Sequence, residues 1–482
     1  MKRYEQVAEG VADSIRNGTL RPGDRLPSVR QHSAEQAISP ATVFQAYYLL
    51  EARGLIEARP RSGYYVSRLP MLPRGGDEPG TAAPQPGSSE VEISELVFEV
   101  LASVRRGGVV PLGSAFPAVS LFPLDRLARS VARGMRRLDP QRIVADLSPG
   151  NDQLRRQIGL RYLLNGRAVE ADEIVLTNGA LEGLNLCLQA VTRPGDLVAV
   201  ESPCFYGALQ AIERLNLRAV EVATHPRTGV DLDSLAAVLA QHPVKACWFM
   251  TNFQNPLGCT LPDEHKRRLV ALLAQHDVPL IEDDVYGELH HGQRRPPPAK
   301  AFDLDGRVMH CSSFSKCLAP GYRIGWVAAG RHARTIERIK LMSSLSAAVP
   351  SQEALADYLQ QGGFDRHLRR LRQHLAQAQA RALRLVQRHF PAGTRVTRPD
   401  GGYFLWLELP PAVDALALHR LALSQGIGLA PGALFSADRR FTHHLRLNIG
   451  HADAPGFDTA LRQVGQLTAQ VMEQAEAGPC GP

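Results

Sequence analysis

An α/β fold, with a mostly parallel sheet covered by helices on both faces and a small helical unit ahead of it, is what this sequence predicts. Three observations lead there. Between residues 173 and 331 the β-rich runs EIVLT, DLVAVE, KACWFM, VPLIEDD and RVMHCSS follow one another, with helix-length amphipathic segments between the earlier ones. Crossovers of that length build parallel sheets. From Arg68 to Glu92 the chain reads RLPMLPRGGDEPGTAAPQPGSSEVE, a stretch too rich in Pro, Gly and small polar residues to bury itself. The residues before it form a compact basic unit. The expected division is therefore a first domain over residues 1–69, a flexible linker over 70–92 and a large domain over 93–475.

Composition agrees with that division. At about 100 to 200 residues per domain, 482 residues accommodate one large domain and at least one small one. Apolar residues make up 44% and charged residues 21%, values of a globular chain with a sizeable core. No apolar run approaches the roughly 20 residues of a membrane-spanning helix, and MKRYEQVAEG opens into polar sequence without a signal-peptide core. A soluble, cytoplasmic protein with no membrane partner is expected. Seven cysteines (187, 204, 247, 259, 311, 317 and 480) include no Cys-x-x-Cys pair, so reduced core thiols are expected. The net charge is +7. The first 69 residues hold ten Lys or Arg against seven Asp or Glu, a surplus of three, which hints at an anionic partner there.

In the first unit Tyr4, Val7, Val11 and Ile15 fall on one helical face, and Gly18 can stop that helix. Ser28 and Gln31 have capping-box spacing for a short second helix toward Ala37. Ser39 as N-cap and Pro40 at the first helical position open a third. Its buried face is Val43, Ala46, Tyr47 and Leu50, and Gly54 ends it. Extended pieces around Ile56 to Arg59 and Tyr64 to Ser67 flank the turn-forming Pro60-Arg61-Ser62-Gly63. Helix, helix, turn, helix, hairpin is the order of a winged helix-turn-helix. Its third helix can enter a DNA major groove while the hairpin reaches flanking phosphates. Arg30, Ser39, Thr42 and Arg61, with Gly63 closing the turn, are then the contact candidates for double-stranded DNA. The same pattern also fits a protein-docking module.

GDRLPSVR, SPATVFQAYYLLEARGLI and RSGYYV together resemble the N-terminal domain of GntR-type bacterial transcription regulators. The likeness covers the whole first unit. Pro40 and Phe44 stand where many such proteins carry Arg, which shifts expected base contacts toward Gln45 or the wing.

In parallel sheets functional residues collect beyond the carboxyl ends of the strands. After EIVLT, TNGALEG offers a helix N-terminus whose free amides near Gly179, Ala180 and Leu181 can cradle a phosphate; taken alone it is also an ordinary turn. After KACWFM, NFQNPLG sets Asn255 before a proline-fixed turn. After VPLIE, DDVYGEL offers Asp283 and Tyr286; helix capping is the alternative for the carboxylate. SSFSKCLAPGYRIGW brings Ser313, Ser315, Lys316 and Arg323. Together these meet the four needs of pyridoxal 5'-phosphate: a Schiff-base lysine (Lys316), an anion for the ring nitrogen (Asp283), donors to the phenolate oxygen (Tyr286, Asn255) and a phosphate cradle. Ser313, Ser315, Arg323 and the amides around Ala180 would form the cradle.

This order and spacing resemble fold-type I pyridoxal-phosphate enzymes of the aspartate aminotransferase family, over roughly residues 93 to 475. The resemblance implies that Phe205 of SPCFYGALQ lies over the cofactor ring. It also implies that Arg446 of HLRLNIG, with Asn255, binds a substrate carboxylate as a bidentate fork. Taken singly, Arg446 is as well read as a surface salt bridge. PDGGYFLWLEL looks like the strand opening the family's small C-terminal α+β subdomain, which would start near residue 345. The Tyr that relatives place before the glycine of a segment like DLSPGNDQLRR is missing here.

The combination resembles the MocR subgroup of GntR-type regulators. It implies a homodimeric transcription regulator whose aminotransferase-like domain senses pyridoxal phosphate, or an amine or amino-acid effector, through Lys316. A metabolic aminotransferase with an accessory head is the alternative, since Lys316, Asp283 and Arg446 suffice in principle for transamination. Ser313 and Lys316 also spell Ser-x-x-Lys, but neither Ser-Asp-Asn nor Lys-Thr-Gly occurs, so a penicillin-binding hydrolase is not expected. The pairs His290-His291 and His443-His444 have no third ligand at metal spacing, and no metal is expected.

Overall fold

The computed structural model describes residues 3–476 apart from 22, 53–54, 60–61, 67–76, 85–86, 105–107, 146, 166–167 and 293. The first unit contains α1 (Arg3–Arg16), α2 (Val29–Glu35), α3 (Pro40–Ala52), β1 (Ile56–Arg59) and β2 (Gly63–Val66). Caps form where hydroxyls precede helices: Ser28 Oγ accepts from the Gln31 amide at 3.2 Å and Ser39 Oγ from the Thr42 amide at 3.1 Å. Ala8, Val43, Ala46, Tyr47 and Leu50 are wholly buried. Buried Tyr47 keeps its hydroxyl satisfied by donating to the Pro27 carbonyl at 2.9 Å. The second helix stops at Glu35, short of the expected Ala37, because Ala37 turns into the left-handed region at φ +50°.

The large domain is built on eight strands: β3 (Ile174–Thr177), β4 (Leu197–Ser202), β5 (Arg218–His225), β6 (Gly229–Val230), β7 (Val244–Phe249), β8 (Leu280–Asp283), β9 (Val308–Ser313) and β10 (Gly325–Ala328). Their spatial order is β3-β10-β9-β8-β7-β4-β5-β6. The pairs β9/β8, β8/β7, β7/β4 and β4/β5 are parallel, while β10 runs antiparallel to both its neighbours and β6 to β5. Helices such as Ala180–Val191 and Asp263–Gln275 connect the strands. A second, wholly antiparallel sheet follows, ordered β11-β12-β14-β13, from β11 (Arg395–Val396), β12 (Phe404–Glu408), β13 (Ala430–Pro431) and β14 (His444–Asn448). The long helices Phe364–His389 and Phe457–Glu476 pack together beside it.

The expected flexible linker over 70–92 is corrected in its described part, since the chain is fastened to the large domain from Asp77 onward. The Asp77 carbonyl accepts from the Val396 amide at 3.3 Å, and Glu78 pairs with Arg227. Ser89 exchanges both backbone hydrogen bonds with Ala219 on the open edge of β5, at 2.8 and 3.0 Å. The physical reason is that an exposed strand edge offers unpaired amides and carbonyls, which composition alone does not reveal. The six cysteines from 187 to 317 are free and buried, and Cys480 lies outside the described residues. Among the described residues no helix is long and apolar enough to cross a membrane.

Candidate cofactor pocket and DNA-reading head

The pocket residues stand at or just beyond the carboxyl ends of the parallel strands. Asp283 ends β8 and Ser313 ends β9, while Gly179, Phe205 and Asn255 follow β3, β4 and β7. At Gly179 the backbone is left-handed, with φ +87°, and a Cβ there would collide with the Arg323 guanidinium. The backbone conformation favours glycine, and the absence of a Cβ leaves the guanidinium its place. Arg323 itself adopts φ +53° and donates to Ser315 Oγ at 3.2 Å and to the Asn178 carbonyl at 3.5 Å. The guanidinium is thereby held beside the N-terminus of helix Ala180–Val191. Ser313 Oγ accepts from the Ser315 amide at 3.4 Å. Leu181 contributes only its amide to this corner, its side chain being exposed.

Asp283 is 1% exposed, and its Oδ1 has no hydrogen-bond partner. Burial, then the neighbouring Asp284 charge, push its carboxyl up to about 7. Asp284 is equally buried but fares differently: against the opposing effect of burial, Arg295 at 2.5 Å and His310 at 2.9 Å hold it well below the usual carboxylate range. The lone acid therefore still lacks a cation, and a protonated pyridine nitrogen fits that need. Lys316 Nζ donates to the Ala115 carbonyl at 2.9 Å and sits 3.6 Å from the centre of the Phe116 ring. Burial and Arg446 pull its amine down to about 7 against the attraction of Asp283. An amine so lowered is a nucleophile near neutrality.

Tyr286 is buried edge-on to Tyr403 and Phe404, with ring centres 5.4 and 5.5 Å away, and burial raises its hydroxyl. Arg446 is 1% exposed and has no carboxylate partner among the described residues, so its reading as a surface salt bridge is overturned. It donates to Asn255 Oδ1 at 3.1 Å and to the Gly113 and Ser114 carbonyls at 2.7 and 3.3 Å. Its guanidinium lies 4.3 Å from the centre of the Phe404 ring. Phe205 caps helix Tyr206–Arg214 and packs on Tyr206 at 4.9 Å.

Nothing in the sequence pattern singles out the segment Gly113–Phe116, yet it touches both Lys316 and Arg446. Tyr403 donates to Ala115 at 3.1 Å, and Asn448 donates to Ser114 and Phe116 at 2.9 and 2.7 Å. Only tertiary packing brings it here. Glycine at 113 is the one local clue, since a Cβ there would overlap the Leu429 backbone.

In the head, Arg30 is exposed on α2 and Gln45 on α3. Ser39 and Thr42 hydroxyls share a 2.8 Å hydrogen bond at the start of α3, and Phe44 is 54% exposed. Gly63 opens β2 with φ +106°, paired with Arg59. Arg61 lies outside the described residues.

Residues 3–66 match the gntR family of bacterial regulatory proteins, and residues 144–462 match the class I and II aminotransferases. The chain is 49% identical to YdcR, an uncharacterized HTH-type transcriptional regulator of Escherichia coli, over 97% of this chain and 99% of that one. This chain belongs to the GntR-type regulators with an aminotransferase domain. YjiR, another such regulator of the same organism, is 37% identical over 98% of this chain and all of its own length. Among solved structures, LysN of Thermus thermophilus, an α-aminoadipate aminotransferase complexed with N-(5'-phosphopyridoxyl)-L-leucine, superposes with a TM-score of 0.71 at 28% identity. That match covers 80% of this chain and 96% of LysN. The GntR-type regulator thus combines a DNA-binding head with a pyridoxal-phosphate domain of the fold-type I architecture.

Proposed function

We propose that this regulator senses an amine or amino acid at its pyridoxal-phosphate pocket and converts occupancy into a change at the DNA-binding heads. Lys316 is the attachment point, Asp283 holds the ring nitrogen, Tyr286 and Asn255 face the phenolate oxygen, and Phe205 covers the ring. Ser313, Ser315, Arg323 and the amides of Gly179, Ala180 and Leu181 hold the phosphate. When bound, the cofactor supplies an electron sink to an attached amine.

One observation carries the sensing role: Lys316 and Arg446 are both engaged by the single segment Gly113–Phe116. An amino acid brings a carboxylate that competes with the Gly113 and Ser114 carbonyls for Arg446 and an amine that exchanges with Lys316, which changes the lysine's contact with Ala115, so both events act on the same backbone. A ligand can shift a two-state element only through such differential contacts. Arg30, Ser39, Thr42, Gln45, Arg61 and Gly63 form the surface facing operator DNA. Symmetric pairing of two chains in the cytoplasm would present two heads to two half-sites. Exposed Leu181, Leu341, Met342 and Leu345, on or beside helices that pack together next to the phosphate cradle, support a homodimer.

The test is an absorbance titration of the full chain with a panel of amines and amino acids, run alongside binding to its own promoter region. Borohydride reduction should fix the cofactor on Lys316. Spectral shifts that track a change in DNA affinity are expected, and spectral shifts with no effect on DNA at any ligand concentration would remove the sensing role. Multiple turnover of an amino donor and a keto acid would instead favour the metabolic aminotransferase, which the retained Lys316, Asp283 and Arg446 permit.

A further inference from the structure

At the start of β14, the C-terminal sheet gathers three side chains that the pyridoxal site does not use. Glu408 ends β12, His444 opens β14, and the two face each other directly across the antiparallel ladder. His443 comes immediately before. Along the sequence the His443-His444 pair has no third partner at metal spacing, and the ladder supplies one from a residue 35 positions upstream. One ligand atom from each of the three lies within 4.8 Å of the others.

The local backbone is fixed. The Leu409 amide donates to the His443 carbonyl at 2.8 Å, and the His444 amide to the Phe441 carbonyl at 3.2 Å. Consecutive strand residues normally point to opposite faces, but His443 precedes the ladder, and the two imidazole centres lie only 4.6 Å apart. His444 is 9% exposed, stacked on Trp406 at 5.2 Å and edge-on to Phe441 at 5.3 Å. Its orientation is set by those rings. Its buried Nδ1 nevertheless has no hydrogen-bond partner, an omission that is costly in a packed interior. Glu408 Oε1 accepts from Arg395 at 3.1 Å, the kind of outer partner that orients a ligating carboxylate.

We propose that Glu408, His443 and His444 bind a divalent transition-metal ion of the zinc class. Two imidazoles and one carboxylate make a donor set suited to Zn²⁺ and its neighbours rather than to Ca²⁺ or Mg²⁺, which require oxygen ligands. Bonds of about 2.1 Å in a tetrahedral site bring ligand atoms to roughly 3.4 Å from one another. Side-chain rotation of the half-exposed His443 and Glu408 closes the remaining gap onto the fixed His444. Solvent on the open side supplies the fourth position. Because His444 is two residues from Arg446 on the same face of β14, the ion would brace the strand that carries the carboxylate-binding arginine.

The experiment is calorimetric titration of the chelator-treated full chain with ZnCl₂, compared with His443→Ala and Glu408→Gln. Both substitutions sit at half-exposed positions, and an unchanged pyridoxal absorbance band reports that each variant is folded. One equivalent of Zn²⁺ is expected in the native chain, with affinity reduced at least about tenfold in each variant. Equal affinity in all three proteins, or no binding by the native chain, overturns the proposal. Replacement by Co²⁺ adds a second check: d–d bands without a thiolate charge-transfer band are expected, and a thiolate band would assign the ion to cysteines and overturn it as well.

Discussion

The two functional regions of this regulator handle solvent in opposite ways. In the head, Arg30, Ser39 and Gln45 are exposed, and the hydroxyls at the start of α3 already cap their own helix. In the pocket, Asp283 and Arg446 are 1% exposed, and each retains a buried polar atom with no partner. The head is complete without DNA, whereas the pocket is built around groups that only a ligand completes. Surface display suits a polyanion recognised largely through phosphates. Buried, unmet polarity suits a sensor, because ligand binding then removes a penalty already present in the empty fold.

The sharpest way to break this comparison is Asp283→Asn. Without cofactor, the folded carboxyl titrates near 7 against an ordinary 3.8. The folded state therefore holds an extra proton between those values, and stability falls as pH rises through that window. Removing the ionisable group should stabilise the cofactor-free protein at pH 8 by up to roughly 4 kcal/mol, with the gain vanishing toward pH 4. Pyridoxal-phosphate affinity should fall in the same variant. Urea unfolding at pH 5 and pH 8 measures the first effect and absorbance titration the second. Equal destabilisation at both pH values would mean that Asp283 is simply a structural residue.

The sequence made these regions legible to different depths. Caps and apolar spacing carried the head almost to the residue, because Ser28, Ser39 and Pro40 act on their own helices through short-range bonds. In the large domain the strand ends carrying Asp283, Asn255 and Lys316 could be read, since each motif is contiguous. What could not be read depends on distant partners. β10, only four residues long and not among the β-rich runs, becomes a strand by pairing between β3 and β9. Asp283 and Asp284 are adjacent and chemically identical in sequence, and only Arg295 and His310 separate their protonation. The docking of Ser89 on β5 and of Gly113–Phe116 on Lys316 and Arg446 follows the same rule.

A smaller effect sharpens the pocket side. Arg446→Gln removes a buried fork and leaves Asn255 and the Gly113 and Ser114 carbonyls without its donors. Affinity for an amino acid from the panel should fall about 30- to 100-fold, on the order of 2–3 kcal/mol. Affinity for the matching amine without a carboxylate should change far less. Parallel absorbance titrations with the two ligands make the comparison, and equal losses for both would show that Arg446 acts on the pocket's shape rather than on a carboxylate.

The smallest expected effect lies on the head, and it follows from the same contrast. Arg30 is exposed, so Arg30→Ala should leave unfolding and pyridoxal absorbance unchanged. On the proposed DNA surface its contribution to affinity would come from releasing counterions at a phosphate. The variant should therefore bind operator and unrelated duplex more weakly by a similar factor, about 1 kcal/mol, and the slope of log affinity against log salt should drop by about one. Fluorescence anisotropy across a salt series measures both. If the loss were confined to one sequence at unchanged slope, Arg30 would be reading a base edge, and the head would resemble the pocket in relying on a specific partner.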